Sequence, residues 1–386
     1  MQAKKILILN HNNENYGTYF RCFFIGKYLG RLGYKITMLC ASGKNFDLSL
    51  RRKKIEANFT IYTLPRIKYH KYFTGQMFLR FPFYLIFSLF GSYDIIYAFT
   101  VAQPQIGLST LAAKLFGKTV LVDWDDLWGR GFADKHSFPI KQILYFFERF
   151  IPQKADWLTV ASRFIKKEAL ACGYPKNKIS RIPNGANIEE IKVFDKIKSR
   201  QELGLMPDKK FILSMGNTYT SLEILFRAFY LVLKNNSRCR LIMLGQVELK
   251  ADLKNKFRKL LPFIIFPGSR PFKEVPKYMS ASDVLVLPMD DNNIEKARFP
   301  MRLGDYLCAA RPIVSNAVGE VYYYLKKYRA GLIVPPTNWQ ALAENITQVL
   351  NNNILEKELI QNANFLAKKF AWPKVAGKLN KILIKL

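Results

Sequence analysis

The chain has 386 residues, 49% of them apolar, and carries 60 Lys and Arg against 29 Asp and Glu, a formal charge of +31. That composition supplies two cores of ordinary size, excludes an intrinsically disordered chain, and calls for an anionic partner beyond what one small nucleotide requires. Cys22, Cys40, Cys172, Cys239 and Cys308 are odd in number and scattered, so they read as reduced core residues and neither as a disulfide framework nor as a metal site.

The opening MQAKKILILN is too short in its apolar part for a secretory signal and leads into a strand, Lys5 to Leu9. The polar loop HNNENYG follows, then a helix from Thr18 to Leu32 stopped by Gly33, then a strand from Tyr34 to Leu39. Strand, helix and strand in that order define a parallel sheet. Gly17 can let the backbone approach a ligand, Thr18 can cap the helix, and Arg21, one turn on, is a candidate contact for an anionic ligand. A plain turn between strand and helix explains the same loop.

Between residues 51 and 90 cations alternate with aromatics. Arg51, Arg52, Lys53 and Lys54 come first, then Arg66, Lys68, Lys71 and Arg80 interleaved with Tyr69, Tyr72, Phe73, Phe78 and Phe81. Such a mixture suits a lipid headgroup layer, at about 1 kcal/mol per basic residue near an anionic surface. Pro82 can begin a helix whose apolar side docks on a membrane or on its own sheet. No RNP signature, zinc-ligand spacing or helix-turn-helix pattern is present, so an anionic membrane is preferred to nucleic acid, which is not expected as a partner. No run approaches the roughly 20 apolar residues of a membrane span, so the protein would lie on the surface.

A second strand-helix-strand set runs from Asp94 to Asp123 and ends in VDWDDLWG. Asp123, Asp125 and Asp126 crowd the end of a strand, and their mutual repulsion needs a ligand or a hydrogen-bond donor to offset it. Capping of the next helix by Asp125 or Asp126 is the competing explanation. A further set opens with the strand Phe211 to Met215, continues with a helix from Ser221 to Leu233, and reaches the strand Arg240 to Leu244.

The stretch from Asp283 to Val321 carries the most chemistry. Val284 to Leu287 is a strand, an acidic Asn-rich loop follows, and Pro300 opens a helix that runs to about Ala310, before the strand Pro312 to Ser315. Arg298 and Arg302 straddle the helix N-terminus, where the dipole disfavours cations by up to about 1 kcal/mol each unless an anion is there too. With the backbone N–H groups around Met301 they describe a diphosphate site. Asp305 shares a face with Arg302, where its carboxylate could accept bonds from a ribose diol.

Taken in order, VASRFIKKEALACGYPKNKISRIPNGANIEEI, ASDVLVLP, LGDYLCAARPIV and NAVGEV resemble the segments of retaining glycosyltransferases of the GT-B fold, in the large family that includes bacterial mannosyl- and glucosyltransferases of cell-surface glycan assembly. The resemblance implies an α/β fold with two Rossmann-like domains facing a cleft. Residues 1–186 would form the acceptor and membrane-facing domain, 187–370 the nucleotide-sugar donor domain, and 371–386 a helix returning to the first. It implies transfer of a hexose-type sugar from a nucleotide diphosphate donor to a lipid-linked or polysaccharide acceptor, with retention, at the inner face of the cell membrane. No metal or cofactor is expected, because this family usually works without a metal and the DxD-like Asp123-Trp124-Asp125 lies in the acceptor half. Arg298 and Arg302 would stabilise the departing diphosphate. Gly216, Asn217, Glu295, Met301 and Asp305 would complete donor binding, while Gly17, Thr18 and Arg21 would meet the acceptor. Asp126, with Asp125, would face the transferred sugar or the acceptor hydroxyl.

Three departures stand out. The family's first donor carboxylate falls on Ala297, leaving Asp290, Asp291 or Glu295 to replace it. Its phosphate-gripping Arg and Lys are missing from GNTYTSLE, where Asn217 and Ser221 stand, and its usual glycine before the last strand is Ala310. Of His11, His70 and His136, none lies in VDWDDLWG, where many relatives carry a histidine.

Overall fold

The computed structural model describes residues 3–67, 76–216 and 221–386. The chain divides into two compact units, one of residues 1–184, 297–299 and 372–386, the other of 185–296 and 300–371.

The first unit holds β1 (Lys5–Asn13), β2 (Lys35–Ala41), β3 (Phe46–Asp47), β4 (Arg51–Glu56), β5 (Phe59–Leu64), β6 (Arg66–Ile67), β7 (Ile95–Phe99), β8 (Thr119–Trp124), β9 (Trp157–Val160) and β10 (Ile179–Arg181). Eight of them form one sheet in the order β10-β9-β8-β7-β1-β2-β5-β4, parallel except for β4, which runs antiparallel to β5. The strands are near-continuous apolar runs because helices cover the sheet, and Ile6 to Leu9 and Ile96 to Phe99 are fully buried. The chain winds outward from β1 through β2 to β5, then returns to β7 beside β1 and winds the other way. The carboxyl ends of β1 and β7 therefore flank the crevice where open α/β sheets take their ligands. The helix Tyr19–Arg31 packs against the C-terminal helix Trp372–Leu383, and Trp372, fully buried, stacks on Phe24 with ring centroids 5.3 Å apart.

Three sequence expectations change here. Pro82 lies inside the helix Gln76–Phe90 and does not begin it. Arg51 to Lys54, expected to offer their charges together to a headgroup layer, form the edge strand β4; successive side chains of a strand point to opposite sides, so the four cations do not share one face. Arg66 and Arg80 are buried and donate to backbone oxygens, Arg66 to Ser42 and Gly43 and Arg80 to His11, so neither offers charge to a surface. Lys68, Tyr69, Lys71, Tyr72 and Phe73, named for the same role, lie outside the described residues, as do His70 and Asn217.

The second unit is a six-stranded, wholly parallel sheet of β11 (Lys210–Met215), β12 (Cys239–Leu244), β13 (Ile264–Gly268), β14 (Val284–Val286), β15 (Ile313–Ser315) and β16 (Leu332–Ile333). Its order, β13-β12-β11-β14-β15-β16, reverses direction between β11 and β14. That is the doubly wound arrangement whose crevice lies beyond the carboxyl ends of the two central strands.

Candidate functional site

In the second unit the crevice residues follow β11 and β14. Gly216 ends β11 with φ +103, a conformation costly for any residue with a Cβ, and an added Cβ would lie 2.9 Å from Arg302 Cδ. Arg302 reaches this point from the first turn of the helix Met301–Cys308 and donates from Nη1 to Met215 O at 2.6 Å. The arginine is thus laid across the end of β11. Gly216→Ala is expected to cost about 1–3 kcal/mol in backbone strain and to displace Arg302. Urea unfolding and a nucleoside diphosphate titration should both register it; a variant unchanged in both would show that neither the φ nor the close approach matters.

Asp305, on the same helix, is 7% exposed and accepts from Asn187 Nδ2 at 3.0 Å, while Asn187 Oδ1 is buried with no partner among the described residues. Burial, aided by the charge of Glu190 and opposed by the Asn187 bond, pushes the Asp305 carboxyl up to about 7. A buried carboxyl so strongly shifted marks a candidate functional group. The candidates for the missing first carboxylate are otherwise engaged or enclosed. Asp290 accepts from Ser221 Oγ at 2.6 Å, Asp291 pairs with Lys296, and Glu295 is buried; Ala297 itself is fully buried. Met301 is half-buried at the helix start.

In the first unit Asp123 is fully buried and forms a two-pronged ion pair with Arg21, Nε to Oδ1 at 2.9 Å and Nη2 to Oδ2 at 2.8 Å. Tyr97 and Thr159 hydroxyls donate to the same carboxylate. Arg21 also donates to Asn184 Oδ1 and Ile182 O, and at 1% exposure it reaches no solvent. The expectation that Arg21 meets an acceptor is therefore corrected: its guanidinium ties the first helix to the carboxyl end of the sheet. Asn184, from the Pro183-Asn184-Gly185 motif, completes the link by donating to Phe299 O at 2.6 Å. Thr18 is corrected too, since its hydroxyl does not cap the helix but donates to Asp125 Oδ2 at 2.9 Å. Gly17 is exposed, at φ +57, and a Cβ there would meet Asn12 Nδ2 at 2.7 Å, so the loop's own geometry requires glycine.

Neither Asp125 nor Asp126 caps a helix. Asp126 accepts from Arg298 Nε at 3.4 Å, and the Arg298 guanidinium lies 5.4 Å from the Phe132 ring. Arg298 and Arg302, expected to share one anion, thus have separate protein partners. Burial first, then the charges of Asp126 and Asp123, push Asp125 up to about 7 against the pull of Arg21 and Thr18. A carboxyl titrating near neutrality can accept or return a proton. Its Oδ1 is buried without a partner, as are His11 Nδ1, Thr100 Oγ1 and Trp128 Nε1 among the described residues. His11 lies near the carboxyl end of β1, and the other groups follow β7 and β8, the strands next to it; the His11 and Trp128 rings meet edge to face at 5.4 Å. Burial and then Arg80 lower His11 to about 3, so it is neutral at physiological pH.

Sequence reasoning missed this histidine because it stands more than a hundred positions before the tryptophan it touches; only the pairing of β1 with β7, and of β7 with β8, brings them together. It also missed Glu148. From the helix Ile140–Phe150 its carboxylate accepts from the backbone N–H groups of Trp128 and Gly129 and from Trp124 Nε1, holding the loop that carries Asp125 and Asp126. Burial pushes it up to about 7 against those bonds. Among the described residues no group of three or more His, Cys, Asp or Glu is arranged to hold a metal.

Comparison with known proteins bears on both units. Residues 22–190 match the model of glycosyltransferase family 4, and residues 195–364 match that of glycosyl transferases group 1. A Bacillus subtilis (strain 168) protein, TuaH, whose name provisionally assigns it to teichuronic acid biosynthesis as a glycosyltransferase, is 23% identical over 230 residues, 58% of this chain and 56% of its own. The phosphatidyl-myo-inositol mannosyltransferase of Mycobacterium leprae (strain TN) is 22% identical over 204 residues, 52% of each chain. The aligned part of the chain spans about half the length of the curated relatives it matches. Among solved structures, Anabaena HepE in complex with UDP and glucose superposes with a TM-score of 0.73 at 15% identity, covering 99% of this chain and 100% of its own. The two models cover successive stretches of the chain, and the structural likeness shows the two-domain α/β fold of GT-B glycosyltransferase structures.

Proposed function

We propose that this protein transfers a hexose-type sugar from a nucleoside diphosphate donor to a lipid-linked or polysaccharide acceptor, with retention and without a metal. The observation that carries the reading is the crevice of the second unit, where Gly216, Arg302 and Asp305 gather beyond β11 and β14. Arg302 stabilises the diphosphate and Asp305 accepts from the ribose diol, while in the first unit Asp125 and Asp126 handle the acceptor hydroxyl. In such a reaction the departing diphosphate oxygen can take the acceptor's proton, so no protein nucleophile is required. The UDP in HepE supports a nucleotide at this fold's donor site. Calorimetry with a panel of nucleoside diphosphates tests the reading: one should bind, and Arg302→Ala should weaken it about 10- to 100-fold by removing a charge-assisted bond. A panel without a binder sinks it. Nucleotide binding without turnover would instead favour a non-catalytic sugar-nucleotide binder, the reading that Ala297 supports by standing where a carboxylate is expected.

We also propose attachment to the inner face of the cell membrane. No helix of the described residues is long and apolar enough to cross a bilayer. Arg52, Lys53 and Lys54 are exposed on β4, close in sequence to the exposed apolar side chains Phe46, Leu48 and Leu50. Reversing those three cations to Glu should release the protein from anionic vesicles, at about 1 kcal/mol per charge removed, and leave nucleotide binding intact. Sedimentation equal to the parent's would remove β4 from the contact.

A further inference from the structure

Apart from the crevices, the first unit carries a basic groove between its edge strand β10 and the C-terminal helix. The cavity, of about 420 Å³, is of the size that takes a small ligand. Arg181 lines it from the strand, Lys378, Lys381 and Lys385 from the helix and its end, and Trp157 and Ser180 complete the wall over a floor of buried isoleucines. None of the described lining residues is acidic. The lysines are no accident of an overall basic chain. Lys374, Lys378 and Lys381 recur at spacings of four and three, which puts them on one helical face, and Lys385 follows in the turn just past the helix end. The opposite face, with Trp372, Val375, Leu379, Ile382 and Leu383, is buried in the unit.

Like charges at such spacings destabilise a helix, and nothing in the packing of the apolar face asks for them. Both Lys378 and Arg181 line the groove, and burial and then the Arg181 charge push the Lys378 ammonium down. The Trp157 indole is fixed by its bond to Ser180 Oγ at 3.0 Å, with the Lys385 ammonium 5.8 Å from its ring. Converging cations beside an oriented indole and an apolar floor match a multiply charged anion attached to a less polar body.

We propose that this groove binds a phosphate ester, either a soluble phosphate compound or the headgroup of a phospholipid. The site is independent of the transfer reaction and holds whether or not the protein moves sugar. The test uses the whole chain and two variants of equal charge: K378Q/K381Q/K385Q in the groove, and K250Q/K254Q/K259Q on exposed lysines of the second unit. Phenyl phosphate, read by calorimetry, probes the soluble source; vesicles of phosphatidylcholine with and without phosphatidic acid, read by sedimentation, probe the lipid source. The groove variant should lose binding on the order of a hundredfold for one probe while the control stays close to the parent, and the probe affected names the source. K381Q and K385Q alone, both at exposed positions, should move the same probe in the same direction by about fivefold each. Equal behaviour of the two triple variants with both probes, whether both unchanged or both weakened, would overturn the site, because net charge alone would then account for anion binding.

Discussion

Arg21→Ala is expected to destabilise the first unit by about 3–5 kcal/mol, because it leaves the buried Asp123 carboxylate without its cation. For a unit of this size that corresponds to a fall of roughly 6–20 °C in its melting temperature. The pair is buried on both sides, so salt should not rescue it, whereas replacing both partners by apolar residues, Arg21→Met with Asp123→Leu, should recover much of the loss. The hydroxyls of Tyr97 and Thr159 would then face an apolar group, which keeps the recovery incomplete. Thermal unfolding followed by tryptophan fluorescence reads the difference. If Arg21→Ala melts with the parent and loses only acceptor affinity, the arginine contacts ligand after all.

Asp305→Ala should leave the fold intact and weaken nucleoside diphosphate binding about 10- to over 100-fold, the worth of roughly 1.5–3 kcal/mol for a charge-assisted pair. The raised carboxyl gives this prediction a pH signature. In the folded chain Asp305 titrates near 7, above its ordinary value of 3.8, so the native state holds a proton that the unfolded state has lost. Its contribution to stability is therefore complete below about 4 and falls as pH rises through 7, a total on the order of a few kcal/mol. Ribose hydroxyls donate to the ionised form, so nucleotide affinity should rise between pH 6 and 8, and Asp305→Asn should flatten both dependences. An affinity that ignores pH in the parent, or a folded Asp305→Ala with parental affinity, would take Asp305 out of the site.

The central strands of both sheets were legible because they are short apolar runs closed by Gly, Pro or polar loops with a helix between successive ones, whereas the outer strands β13 and β16 and the order of the strands were not. What escaped were charges with distant partners. Arg21 sits one turn into a helix, where a basic side chain usually faces water, and only the register of β1, β7 and β8 shows that Asp123 waits beneath it. Arg66 and Arg80 escaped for the same reason: each satisfies a backbone carbonyl in a segment remote in sequence. The RRKK run carried no strand signal because Lys and Arg have little preference for strands, yet pairing with the apolar β5 imposes extended structure on it. Around the helix Met301–Cys308 the order of residues was readable and the assignment of charges was not, since Arg298 pairs with Asp126 from another part of the chain.

The position of β4 has a consequence for the protein in crowded solution. It is the outermost strand of a long sheet, and among the described residues no strand pairs with its outer edge, which a second copy could extend strand to strand. Arg51 is paired with Asp47 and Glu14, but Arg52, Lys53 and Lys54 stand exposed on alternating sides of the strand, so two such edges approaching one another would bring six like charges together before the first backbone bond formed. The same residues that can attract an anionic surface therefore keep copies of this chain from polymerising through their sheets.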